Sequence, residues 1–155
     1  MNMFKKQIVV IGSSNASQQH CMIAYEVGKE IALNNYILVC GGKGGIMNSA
    51  CKGAKEHKGL TVGIVPELDP KDNNDNNYID IIIPTGINYS RNYIVQNSGN
   101  AIIMIGGSFG TLSELAYALL FNKKIIALKS KWAKIDKKII IAKSAKDAVT
   151  KAIKQ

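Results

Sequence analysis

Apolar residues in this chain gather in short blocks rich in isoleucine and valine, and within each block consecutive positions are apolar rather than every second one. The blocks lie at residues 7–11, 36–40, 60–65, 79–83, 101–105 and 125–128, with a weaker one at 138–142. Blocks of this length read as strands. Strands apolar on both sides need cover on both faces, which a central parallel sheet between two helical layers provides.

Between the blocks the apolar period changes to that of a helix. The segment 16–34 is the clearest case, with Ala24, Val27, Gly28 and Ile31 recurring on one face. Further helices are predicted at about 46–57, 88–98, 111–122 and 145–154. The alternation predicts an α/β, Rossmann-like three-layer sandwich with a mainly parallel central sheet of about six or seven strands. Residues 72–77, rich in Asp and Asn, read as a polar loop between strands, with mobility one option for it. No linker or repeat divides the chain, so residues 1–155 are expected to form a single Rossmann-like nucleotide- or cofactor-binding domain.

Composition adds exclusions. No apolar run approaches membrane-spanning length and the first residues lack a signal-peptide pattern, so a cytoplasmic protein with no membrane partner is expected. Cys21, Cys40 and Cys51 have no CxxC spacing, which indicates reduced thiols and neither a disulfide framework nor a metal site. The net charge of +9 is concentrated after residue 122, where 11 lysines face only Asp136 and Asp147. Such a tract would draw anions and raises a nucleic-acid-associated role as one alternative. Trp132 is the one aromatic residue there able to stack on a base, which makes nucleic acid the weaker choice.

The candidate chemistry sits in loops that follow predicted strands, where this architecture binds ligands. These are Gly12-Ser13-Ser14, then Gly41-Gly42-Lys43-Gly44-Gly45 with Met47, and Gly106-Gly107-Ser108-Phe109-Gly110-Thr111. Glycine lets a ligand approach the backbone, and the amides opening the following helix favour a phosphate. No P-loop pattern occurs. Glu114, three residues after Thr111, fits a capping box with that threonine, and also fits a carboxylate that orients water or stabilises charge on a sugar. From position alone the cap is the simpler expectation. Arg91 is the single arginine beside nineteen lysines. Its planar fork suits bidentate contact with phosphate or carboxylate.

These motifs resemble a known family. The run from Gly106 to Glu114 is similar to the Pro-Gly-Gly-x-Gly-Thr-x-x-Glu signature of the Lonely Guy (LOG) proteins, long mislabelled as lysine decarboxylases, and Arg91 stands where that family has its catalytic arginine. The first two loops also resemble the family's. Thr85-Gly86 followed by Arg91-Asn92, and the ending Gly-Thr-Leu-Ser-Glu, resemble the short branch related to molybdenum cofactor carrier proteins, in a superfamily that includes the DNA-processing proteins.

The LOG resemblance implies a phosphoribohydrolase that cleaves the N-glycosidic bond of a nucleoside 5′-monophosphate. Gly107, Ser108, Gly110 and Thr111 would hold phosphate, Gly12, Ser13, Ser14, Gly41, Gly42, Gly45 and Met47 would complete the pocket, and Arg91 and Glu114 would be catalytic. The carrier resemblance implies the same pocket binding a molybdopterin-type cofactor with no reaction and no further cofactor required. Either way a homo-oligomer, dimer or tetramer, is implied. Three departures touch catalysis more than binding: Gly106 replaces the signature proline, Ser108 its second glycine, and Asn92 the lysine that usually follows the arginine.

Overall fold

The computed structural model describes residues 4–154. Seven strands form one sheet: β1 (Gln7–Gly12), β2 (Ile37–Cys40), β3 (Thr61–Val65), β4 (Ile81–Pro84), β5 (Ala101–Ile105), β6 (Ile125–Leu128) and β7 (Ile140–Ile141). All neighbours pair in parallel, in the order β4-β3-β2-β1-β5-β6-β7. Five helices connect them: α1 (Gln18–Leu33), α2 (Ile46–Glu56), α3 (Asn92–Asn97), α4 (Phe109–Leu120) and α5 (Ala145–Ile153).

The doubly apolar strands are explained by two separate cores. Ile8, Val10, Leu38 and Ile103 point into the layer that holds α1, α2 and α5, where they meet Val27, Ile31, Ala50 and Val149. Val9, Ile11, Val39, Ile102 and Met104 point the other way, against Val95, Leu115 and Ala118 of α3 and α4. Alternate residues of one strand thus feed opposite faces, and none can be polar without leaving a buried group unmatched. The buried residues of α1 are Ala24, Val27, Gly28 and Ile31, the stripe its helical period predicts.

One segment departs from expectation and another gains detail. The 88–98 region is not one helix: Asn88–Arg91 forms a turn of 3-10 helix, and α3 proper spans only Asn92–Asn97. The 72–77 loop is polar, as expected, and touches α2 and the second glycine loop. Asp75 accepts from Asn48 Nδ2 through its carbonyl at 3.2 Å and pairs with Lys43 through its carboxylate at 2.6 Å, while Asn76 Nδ2 donates to the Lys43 carbonyl at 3.4 Å.

Strand order fixes where a ligand can sit. From β1 the chain builds outward to β2, β3 and β4, then crosses back to lay β5 on the other side of β1. Loops leaving the C-terminal ends of β1 and β5 therefore diverge and open a crevice between them.

Candidate functional site

A cleft of about 340 Å³ lies at this switch point, lined by Gly12, Ser14, Lys43, Met47, Pro66, Glu67, Asn88, Tyr89, Arg91, Asn92, Ser108, Gly110, Thr111 and Glu114. Its volume falls in the range of small-molecule sites. The elements that supply these residues follow the sheet: α4 stands beyond β5, Ser14 beyond β1, Met47 and Lys43 beyond β2, and Glu67 beyond β3.

One end of the cleft is the start of α4. Ser108 is its N-cap, in extended conformation, and Thr111 Oγ1 accepts from the Ser108 N–H at 3.2 Å. Among the described residues the N–H groups of Phe109 and Gly110 have no backbone or side-chain acceptor, so they stay free for an anion at the positive end of the helix. Gly107, at φ 133°, does not line the cleft. A Cβ there would stand 2.8 Å from the Trp132 ring, whose Nε1–H donates to the Ser108 carbonyl at 3.3 Å. Trp132 is thus spent on bracing this loop and is not a free platform for a base.

The helix begins two residues before Thr111, and that displaces Glu114 from the cap. Thr111, not Glu114, completes the capping pair with Ser108. Glu114 stands a turn further in, 5% exposed, with its carboxyl on the cleft. Burial pushes its pKa up to about 8, and the nearby Arg91 charge only partly offsets this. Near neutral pH it is mostly the uncharged acid.

Arg91, also 5% exposed, is fixed by its neighbours. Nη2 donates to the Gly41 carbonyl at 3.0 Å, Nη1 bonds Asn92 Oδ1, and the buried Nε has no partner among the described residues. Burial lowers its pKa against the pull of Glu114, but the guanidinium remains a cation. Asn92 turns its amide nitrogen the other way, to Ser113 Oγ at 2.8 Å and the Gly110 carbonyl at 3.4 Å. The residue in the family's lysine position therefore links Arg91 to α4 and adds no charge.

Of the loop residues singled out from sequence, Gly12, Ser14, Met47, Ser108, Gly110 and Thr111 meet around the cleft. Ser13, Gly41, Gly42 and Gly45 lie behind it as supports. Ser13 Oγ closes its own turn onto Asn15, and its carbonyl accepts from Ile46 N–H at 3.0 Å. Gly42 packs toward Val65 at φ 74°. Gly45, at φ 58° and ψ −120°, occupies backbone space that only glycine uses readily, with the Ser13 and Ser14 carbonyls 2.5 Å from where a Cβ would be.

The far wall was not visible in the glycine pattern. Lys43 Nζ bridges Glu67 Oε1 at 2.5 Å and Asp75 at 2.6 Å, closing the end beyond β3. Tyr89 and Asn88 form the lip. Among the described residues no group of three or more His, Cys, Asp or Glu side chains is placed to hold a metal, and no helix is long and apolar enough to cross a membrane. Cys40 and Cys51 are buried free thiols with sulfurs 3.6 Å apart beneath the second loop, and Cys21 is partly exposed.

Fold and site together define a Rossmann-like α/β protein of the LOG and molybdenum cofactor carrier superfamily, with a phosphate-type cleft across the ends of β5, β1, β2 and β3. Within it the chain belongs to the SLOG cluster4 family, which residues 5–155 match. The molybdenum cofactor binding protein of Rippkaea orientalis superposes with a TM-score of 0.89 at 34% identity, covering 96% of both chains. An uncharacterised protein of Archaeoglobus fulgidus is 42% identical over 79% of this chain and 80% of its own. The cytokinin riboside 5′-monophosphate phosphoribohydrolase of Mycobacterium marinum is 29% identical over 74% of this chain, which spans only 64% of that enzyme.

Proposed function

We propose that this protein binds a phosphate-bearing small molecule of the molybdopterin class and carries it without chemical change. Binding rests on the cleft itself, where Gly110 at the positive end of α4 and the Arg91 cation both line the wall. The phosphate would lie against Gly110 and Thr111, with Ser14 and Arg91 on its flanks. Similarity to the Rippkaea protein over nearly the whole of both chains supports the cofactor class.

Two features bear on carrying against hydrolysis, the burial of Glu114 and the side chain at position 92. A carboxyl whose pKa stands at about 8 is mostly protonated at neutral pH and offers little negative charge to a cationic ribose, while a value so near neutrality also suits general acid–base work, which keeps the hydrolase as the second reading. A bound phosphate dianion would push that pKa higher still. Asn92, bonded to Ser113 and Gly110, adds a strut where the enzyme signature adds a charge.

A second reading keeps the hydrolase, since Arg91 and Glu114 occupy one cleft as in the LOG signature. Incubating the purified protein with a panel of nucleoside monophosphates, while identifying co-purified ligand by mass spectrometry, separates the two. The carrier reading expects a co-purifying or titratable phosphorylated pterin and no ribose 5-phosphate. Turnover of any nucleotide that disappears in Glu114→Gln would establish the hydrolase instead.

A further inference from the structure

The cleft is polar around most of its wall, and its large apolar side chains are Met47, Pro66 and Tyr89. They come from separate places in the chain: Met47 from the first turn of α2, Pro66 from the residue after β3, and Tyr89 from the 3-10 turn Asn88–Arg91. Sheet order sets the first two at the β2 and β3 end, across from α4. Two to three inter-strand steps separate β5 from β2 and β3, roughly 10 to 14 Å at the usual spacing of parallel strands.

Tyr89 has a fixed backbone and an open side chain. Asn88 N–H donates to the Pro66 carbonyl at 3.2 Å, Ser90 N–H to the Ile87 carbonyl at 3.2 Å, and Asn92 N–H to the Tyr89 carbonyl, so the chain is held on both sides of the tyrosine and against Pro66. Asn88 adopts φ 53° to make this turn, a left-handed conformation that persists in a residue other than glycine where its surroundings enforce it. Tyr89 is nevertheless 75% exposed, and among the described residues no aromatic side chain packs on its ring. Tyr93, four residues on, instead meets Tyr117 and Phe121 at centroid distances of 5.4 and 5.6 Å. A tyrosine on a held backbone offers a flat ligand a large contact area and has only two side-chain torsions to fix.

We propose that Tyr89 stacks on a planar heterocyclic ring of the bound molecule, with Met47 and Pro66 completing an apolar seat for that ring beyond the phosphate. A fused ring of the pterin or purine kind has apolar faces and a polar edge, and an aromatic neighbour meets the face whatever the edge carries. Met47 adds a polarisable sulfur, which packs favourably on aromatic rings. The strand steps between this seat and the α4 end leave room for a sugar or a short chain joining ring to phosphate. The inference rests on the phosphate-ligand reading above and names the shape of what lies beyond the phosphate.

Isothermal titration of the full chain with inorganic phosphate, ribose 5-phosphate, GMP and neopterin 3′-monophosphate tests it, because the first two carry phosphate and no ring. In the wild type at least one of the ring-bearing ligands is expected to bind about tenfold or more tighter than ribose 5-phosphate. Tyr89→Ala should weaken that ligand about tenfold and leave ribose 5-phosphate and inorganic phosphate within about twofold, while Tyr89→Phe, which keeps the ring, should stay within about threefold of wild type. Ribose 5-phosphate binding as tightly as both ring-bearing ligands overturns the assignment without needing any variant. So does a Tyr89→Ala protein that binds the ring-bearing ligand like wild type, or one that loses every ligand alike, which would make Tyr89 a support for the turn that carries Arg91. A Tyr89→Phe protein as weak as Tyr89→Ala also overturns it, by giving the role to the hydroxyl. If none of the four ligands binds, the phosphate reading falls and this assignment with it; if the ringless ligands bind as well as the others, only the ring seat falls.

Discussion

Arg91 Nη2 donates to the carbonyl of Gly41 at 3.0 Å, tying the turn before α3 to the end of β2 across fifty residues of sequence. Its other terminal nitrogen is committed to Asn92. A lysine has one nitrogen at the end of a flexible stem and cannot satisfy both acceptors. Arg91→Lys is expected to lower stability by about 1–3 kcal/mol, the cost of a buried acceptor left unmet. It should also weaken phosphate-ligand binding by about tenfold or more. Chemical denaturation and titration calorimetry read the two effects separately; a variant as stable as wild type would show that the Gly41 contact contributes nothing.

Glu114 makes stability depend on pH in a direction opposite to that of a salt-bridged carboxylate. Its native pKa of about 8 lies above the ordinary value of 4.5. Below about pH 4.5 both native and unfolded chains hold the proton. Between there and about pH 8 the unfolded chain releases it and the native chain keeps it, so stability falls as pH rises, by up to about 1.4 kcal/mol per pH unit, and levels off above. Glu114→Gln should remove this slope. Melting temperatures from pH 5 to 9 should converge at the acid end, with the variant progressively more stable toward pH 8. Parallel curves would mean that Glu114 does not titrate in this window.

Gly45→Ala is expected to disable the site from behind the cleft. The new methyl would meet two carbonyl oxygens at 2.5 Å in a backbone conformation that alanine avoids. A loss of about 1–3 kcal/mol follows from the strain, and Ser14, whose carbonyl is one of the two, must move. Measured Tm and phosphate affinity should fall together. Unchanged phosphate affinity in a destabilised variant would separate Ser14 from the binding site.

Thr111→Val keeps shape and removes the hydroxyl that accepts from the Ser108 N–H. Loss of this cap contact should cost about 1 kcal/mol. Thermal unfolding measures it, and an unchanged Tm would show that water replaces the threonine without loss.

Much of the fold was legible because its cause is local. A strand such as β5, apolar at every position from Ala101 to Ile105, can only be covered on both faces, and covered strands separated by helices leave few architectures open. The 88–98 segment was less legible, since apolar period does not report the 3-10 turn that places Arg91. Loops built on glycine announced themselves, Lys43 among them, while its partner Glu67, twenty-four residues away, carried no such signal. The role of Glu114 turned on where α4 begins. Spacing allowed a threonine–glutamate cap, and the earlier start at Ser108 gave the cap to Thr111 and left the glutamate facing the cleft.

The two ends of the cleft are made of different material. At α4 it is the peptide backbone, common to every sequence that keeps the turn; beyond β3 it is side chains held by one lysine. Mutation can therefore rewrite the second end while hardly touching the first. A grip on phosphate made of peptide amides is thus the part of the site that outlasts change in the side chains around it.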